Sequence, residues 1–111
     1  MGKAEITTVV DKMCLIIYEL NQIRPSVLEL ALPQLEYKIK SVELKERREF
    51  TRLLSKMFSE KNSKLATILP QLWEAYLERF SDANDEIRKL CVSSISDFLI
   101  NHSELNEQIY G

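Results

Sequence analysis

The side chains best suited to catalysis or metal binding are scattered through this sequence. The single histidine, His102, stands in "NHSEL" with no cysteine, aspartate or second histidine at metal-ligand spacing. Asp85 and Glu86 are adjacent on a turn rather than opposed across a cleft, as general acid–base work requires. The two glycines are residues 2 and 111, so no glycine-rich loop is available to cradle a phosphate. Cys14 and Cys91 each lie among apolar neighbours and read as reduced, buried thiols. These residues point to no enzyme, no metal and no cofactor.

Binding chemistry is better represented. Lys45, Arg48, Arg52 and Lys56 advance by three, four and four residues, which aligns them on one stripe of a helix. Lys38 and Lys40, at the end of the preceding element, extend that stripe. It suits an anion: a DNA backbone, an acidic segment of a partner, or a polyphosphate. Glu43, Glu46, Glu49 and Glu60 are interleaved with it and support the plainer reading of a solvated charged face. Trp73, Tyr76 and Phe80 recur at helical spacing, which fits core packing or, more sharply, a peptide-anchoring ridge.

The elements carrying these residues are helical. In 111 residues there is room for one domain, and a composition of 45% hydrophobic and 29% charged residues is that of a globular chain. Two glycines and three prolines leave few tight turns for a β-sandwich. The net charge of −2 excludes a uniformly basic nucleic-acid binder, although residues 38–64 hold nine Lys/Arg against four Glu. The longest apolar run, "MCLII", is too short to span a bilayer, and the start "MGK" lacks the apolar centre of a signal peptide. A soluble, reducing compartment is expected.

Residues 4–21 carry apolar Ile6, Val9, Val10, Met13, Ile16, Ile17 and Leu20 at steps that predict a leading helix. Arg24-Pro25 interrupts it. Ser26 and Glu29 read as a capping box opening a second helix near 27–40, with Val27, Leu28, Leu30, Ala31, Leu35 and Ile39 on its inner face. Pro33 should bend or restart that helix. A third helix is predicted near 43–58, burying Phe50, Leu53, Leu54 and Met57. A fourth near 64–80 contains Pro70 and buries Leu65, Leu69, Leu72, Trp73, Tyr76, Leu77 and Phe80. A fifth near 85–101 buries Ile87, Leu90, Cys91, Ile95, Phe98 and Leu99, and 103–110 starts a further helix.

"LPQL" occurs at 32–35 and again at 69–72. Beyond it, with an offset of forty-one, Arg47 matches Arg88, Phe50 matches Cys91, Leu54 matches Ile95 and Met57 matches Phe98. A period near forty made of two antiparallel helices is the mark of a HEAT-type repeat. The chain then divides into a leading helix (4–21), unit one (26–58), unit two (64–101) and the start of a further helix (103–110). The expected fold is an all-α solenoid segment of about five helices, either excised from a longer solenoid or an unusually short relative of one. Its open ends should self-associate weakly.

"SDANDEIRKL" places Asp82 five residues before Ile87 and six before Arg88. This resembles the HEAT consensus, which implies a ladder of Asp–Arg pairs between neighbouring units. Asp82, Arg88 and Arg47 fit that ladder, whereas Ser41 and Glu46 depart from it.

"IIYELNQIRPSVLELALPQLEYKIKS" (16–41), "RLLSKMFSEKNSKLA" (52–66) and "LWEAYLERFSDANDEIRKLCVSSISDFLINHSEL" (72–105) resemble, in order, stretches of the precocious-dissociation-of-sisters proteins, the sister-chromatid cohesion regulators. "DANDE" and Ser81 depart from the family pattern. The resemblance implies a nuclear, chromatin-associated, non-enzymatic scaffold that binds the kleisin subunit of cohesin and the release factor, touches DNA only indirectly or weakly, and does not engage membranes. A HEAT or armadillo adaptor in transport or translation is the alternative.

Overall fold

The computed structural model describes the backbone of residues 2–110 and the side chains of 9–105 and 107–109. The first helix, α1 (Gly2–Ile23), stops where Arg24 takes extended angles, φ −159° and ψ 98°, ahead of Pro25. Val10 is buried, while Met13, Cys14, Ile17 and Tyr18 pack half-buried against the core. The predicted stripe is only partly covered, since Val9 and Ile16 are 56% and 57% exposed. The packing partners of α1 are the segment that follows it and α3 (Leu44–Ser59), so a single line of side chains is covered. The side chain of Ile6 lies outside the described residues.

The predicted second helix is two pieces. A 3₁₀ segment (Pro25–Ala31) leads into α2 (Leu32–Ile39), and no Ser26–Glu29 capping box forms. Pro25 fills the first helical position, where no N–H is left to cap. The three-residue turn puts Pro25, Leu28 and Ala31 on one line. Leu28 is therefore buried, whereas Leu30, expected on the inner face, is 89% exposed.

Next, α3 lies at the centre. It packs against α1, α2, α5 (Pro70–Leu77), α6 (Asp85–Ser93) and α7 (Ile95–Asn101). Its predicted stripe of Phe50, Leu53, Leu54 and Met57 is buried, and so are Thr51, Ser55, Phe58 and Ser59 on a second side. The turn after it uses Asn62 at φ 67°, a left-handed setting that asparagine tolerates better than most residues.

The predicted fourth helix breaks into α4 (Leu65–Ile68), α5 and a 3₁₀ turn (Glu78–Ser81). Leu69 leaves helical angles and α5 restarts at Pro70. Pro33 and Pro70 thus both stand in the first turn of a restarted helix, where a missing N–H costs nothing. The predicted fifth helix also divides, into α6 and α7, at Ser94. The Ser94 hydroxyl donates to the Cys91 carbonyl at 2.6 Å, and such back-bonding bends helices. Finally α8 (Ser103–Tyr110) packs on α7, and the Trp73 indole donates to Gln108 Oε1 at 2.8 Å.

Two hairpins result, the 3₁₀ segment–α2 with α3, and α4–α5 with α6–α7. Leu35 and Leu72, Ile39 and Tyr76, Phe50 and Cys91, and Met57 and Phe98 are buried at matching places in each. Phe58, Trp73, Tyr76, Phe80 and Phe98 join the hairpins, with Phe58 and Trp73 meeting edge-on at 5.0 Å. Each large apolar side chain buried this fully contributes about 1.5–3 kcal/mol. An exposed ion pair contributes roughly 0.2–1 kcal/mol, so the core dominates the fold.

Candidate functional site

The interhelical turns decide how the hairpins sit on each other. In the first turn, the Ser41 hydroxyl accepts the Glu43 N–H at 3.1 Å, and the Ser41 carbonyl accepts from Arg47 Nη1 at 2.7 Å. In the second, Asp82 Oδ1 accepts the Asn84 N–H at 2.9 Å, and the Asp82 carbonyl accepts from Arg88 Nη1 at 2.6 Å. Asn84 then caps α6 by accepting from the Glu86 and Ile87 amides at 2.9 and 3.2 Å. The two turns are built alike, forty-one residues apart.

They are joined through Asp82. Arg47 Nε donates to Asp82 Oδ2 at 2.9 Å and Arg47 Nη2 to Oδ1 at 3.1 Å, a bidentate pair linking α3 to the second turn. Arg79 Nη1 adds a bond to Asp82 Oδ2 at 3.1 Å and reaches the Ile39 carbonyl at 3.4 Å. The Asp82 side chain is 3% exposed. Burial by itself would raise its carboxyl. The Arg47 hydrogen bond, the Asn84 amide and the charges of Arg47 and Arg79 outweigh that, so its pKa falls below the ordinary value.

Of these groups, Arg47, Asp82 and Arg88 stand out in the sequence. Arg79 was missed there. Its signal is that it lies one helical turn before Asp82, in reach of the same carboxylate. The Ser41 hydroxyl was missed as well, because a serine lacks the charge that the repeat pattern prescribes.

The basic stripe on α3 is largely engaged in ion pairs. Lys38 meets Glu46 at 2.9 Å, Arg48 meets Glu86 at 3.3 Å across the hairpins, and Arg52 donates to Glu49 at 2.8 Å. Lys56 lies 4.3 Å over the Tyr18 ring, whose hydroxyl donates to Glu60. Lys40 and Lys45 have no acidic partner within 4 Å among the described residues. A groove of about 360 Å³ runs between α3 and α6–α7, lined by Arg52, Lys56, Ser55, Ser93 and Ser94 and by the acidic Glu60 and Asp97.

Trp73 and Tyr76 face the core rather than solvent. Tyr76 Oη sits between Ser55 Oγ at 2.8 Å and Ser94 Oγ at 3.1 Å, and burial pushes its pKa up. His102 is buried, with Nε2 at 2.7 Å from the Glu60 carbonyl. Burial raises the Cys91 thiol to about 12 and the Cys14 thiol to about 11, which keeps both protonated near neutral pH.

Stacked antiparallel helix pairs with matched cores and a buried Asp–Arg link define an all-α segment of HEAT type. A family model described as Sister chromatid cohesion protein PDS5 protein matches residues 2–110, and the chain belongs to this family. It is 38% identical over 109 residues to the Xenopus laevis sister chromatid cohesion protein PDS5 homolog B-A, covering 98% of this chain and 8% of that protein. Against the Homo sapiens PDS5 homolog B it is 39% identical over 109 residues, with the same coverage of 98% and 8%. The Danio rerio PDS5 homolog A gives 38% over 109 residues, again at 98% and 8%. The chain spans about 8% of the length of these curated relatives.

Proposed function

We propose that this chain is a protein-binding scaffold segment acting in sister chromatid cohesion. The observation that carries this reading is the family match across residues 2–110 of a stack of helical hairpins. Rigid stacked hairpins suit such work, because their exposed residues can change without disturbing the core. The scaffold is non-enzymatic and works in the nucleus, on chromatin. Its partners are the kleisin subunit of cohesin and the release factor, with DNA contacted only indirectly. Arg47 and Asp82 serve as the structural rung that fixes hairpin on hairpin. The division into a leading helix, repeat units at 26–58 and 64–101, and a further helix from 103 belongs to the same proposal.

Capture of kleisin peptides on the immobilised chain tests it. Enrichment over a scrambled control supports a cohesion scaffold; equal recovery of both argues for an adaptor with other partners.

A second reading gives the face of Lys38, Lys40, Lys45, Arg48, Arg52 and Lys56 an acidic partner. The free ammonium groups of Lys40 and Lys45 favour it, since their charge is not offset by a neighbouring carboxylate among the described residues. Replacing both with Glu should weaken binding to an acidic peptide and flatten its salt dependence. Unchanged affinity would retire this face.

A further inference from the structure

We propose that the cavity at the end of α1, walled by Asn21, Lys61 and Lys64, takes an extended acidic segment of a protein partner, which gives a main-chain N–H to Asn21 Oδ1 and a carboxylate to the two lysines. This rests on the reading that the chain binds proteins, and it names the chemistry that one site accepts.

The cavity measures about 630 Å³ and lies where α1 ends, the 3₁₀ segment begins and the loop after α3 leads into α4. Ligand sites commonly fall in the range of about 300–1,000 Å³. Asn21 and Gln22 wall it from α1, Lys61 and Lys64 from the loop, and Pro25 and Ile68 add apolar surface. The loop wall is held in place. The Ser63 amide donates to the Glu60 carbonyl at 3.1 Å, and Ser63 Oγ accepts the Leu65 amide at 3.3 Å. His102 Nε2 lies 2.7 Å from the same Glu60 carbonyl. A wall fixed in advance lowers the ordering cost of binding.

Two features of this wall are unfinished. Asn21 is 7% exposed, yet its Oδ1 accepts from no donor among the described residues. Buried acceptors are nearly always paired, so an orphan marks a place where a donor is needed. The last torsion of asparagine is broad, which lets the carboxamide turn Oδ1 toward an N–H in the cavity. Lys61 and Lys64 are exposed and meet no carboxylate within 4 Å among the described residues. Glu60 also lines the cavity, but its carboxylate is engaged by the Tyr18 hydroxyl and, at 3.0 Å, by Gln22 Nε2.

The lysines call for an anion, and Asn21 decides which kind. A phosphate, a polyphosphate or a nucleic-acid backbone binds as an acceptor and would leave Oδ1 without a donor. A peptide brings a main-chain N–H beside any carboxylate it carries. Pro25 and Ile68 give a neighbouring apolar side chain somewhere to lie. The occupant is therefore a peptide that sets Asp or Glu next to an apolar residue.

An NMR titration of the isotope-labelled 111-residue chain tests the proposal, with the capped peptide acetyl-Leu-Asp-Leu-Asp-amide as probe. The Asn21 carboxamide and the amides of residues 60–64 should shift together. The peptide with Asn in place of Asp, its backbone N-methylated form, and tripolyphosphate should each bind there about tenfold more weakly. Lys61→Glu combined with Lys64→Glu should weaken the acidic peptide by about the same factor. Asn21→Leu should also weaken it while leaving the melting temperature unchanged, because the variant removes an acceptor that had no donor. The exposed lysine pair decides the matter if Asn21→Leu disturbs its helix. Tripolyphosphate binding as tightly as the peptide overturns the proposal, as does an N-methylated peptide that loses nothing or a lysine variant with unchanged affinity. Shifts confined to another face overturn this site and leave the scaffold reading standing.

Discussion

The two interhelical turns share a backbone plan and differ in one side chain. Ser41 and Asp82 each take the amide two residues on and each lend a carbonyl to an arginine six residues on. Only Asp82 also carries a charge, and it is met by Arg47 from the preceding hairpin and by Arg79 from its own. A buried carboxylate is tolerated where two guanidiniums compensate its lost hydration. Ser41 is neutral and its hydroxyl serves the Glu43 amide. Both turns thus keep the cap while only the second carries the rung, so cap and rung are separable jobs within one loop.

The largest expected effect comes from deleting the charge where it is answered. Asp82→Ala leaves Arg47 and Arg79 without their shared acceptor and should cost about 3–5 kcal/mol in urea unfolding. A loss below about 1 kcal/mol would mean the turns are equivalent after all. Adding the charge where nothing answers it should also destabilise. Ser41→Asp keeps the bond to the Glu43 amide but buries an unpaired carboxylate, at a cost of about 2 kcal/mol. Stabilisation by that change would break the comparison.

The hydroxyl relay between the hairpins gives a smaller effect. Tyr76→Phe removes the group shared by Ser55 and Ser94 and should cost about 1–2 kcal/mol, seen as a lower urea midpoint with an unchanged slope. Acid sharpens the contrast further. The Asp82 pKa is depressed on folding from an ordinary 3.8, so its contribution is complete above that value and is lost as pH falls through the folded pKa. Stability should hold from neutral pH to about pH 5 and decline below about pH 4, and Asp82→Asn should flatten that decline.

Much of this was legible in the sequence because helical periodicity and the forty-one-residue offset survive tertiary packing. Phe50, Leu54 and Met57 fall on the buried side of α3, where their three- and four-residue steps place them. The failures have local causes. Ser26 and Glu29 spell a capping box, but Pro25 winds the segment into a tighter helix that turns Leu30 outward. Ser94 looks like an ordinary helical serine until its hydroxyl is seen bonded to Cys91 and Tyr76. Leu99 has the spacing of a core residue, yet it lies on the outer side of α7 and is 59% exposed, because period alone does not tell which side of a helix a neighbour packs on.

The claim on which the account rests is that two equivalent hairpins are locked by one buried pair across their turns. A double-mutant cycle with Arg47→Ala and Asp82→Ala, read by urea unfolding, measures that lock directly. The structure predicts a coupling of about 2 kcal/mol or more, with the double variant far less damaged than the single losses would sum to. Additivity within about 0.5 kcal/mol would contradict it, leaving the hairpins held together by apolar packing and their other polar contacts.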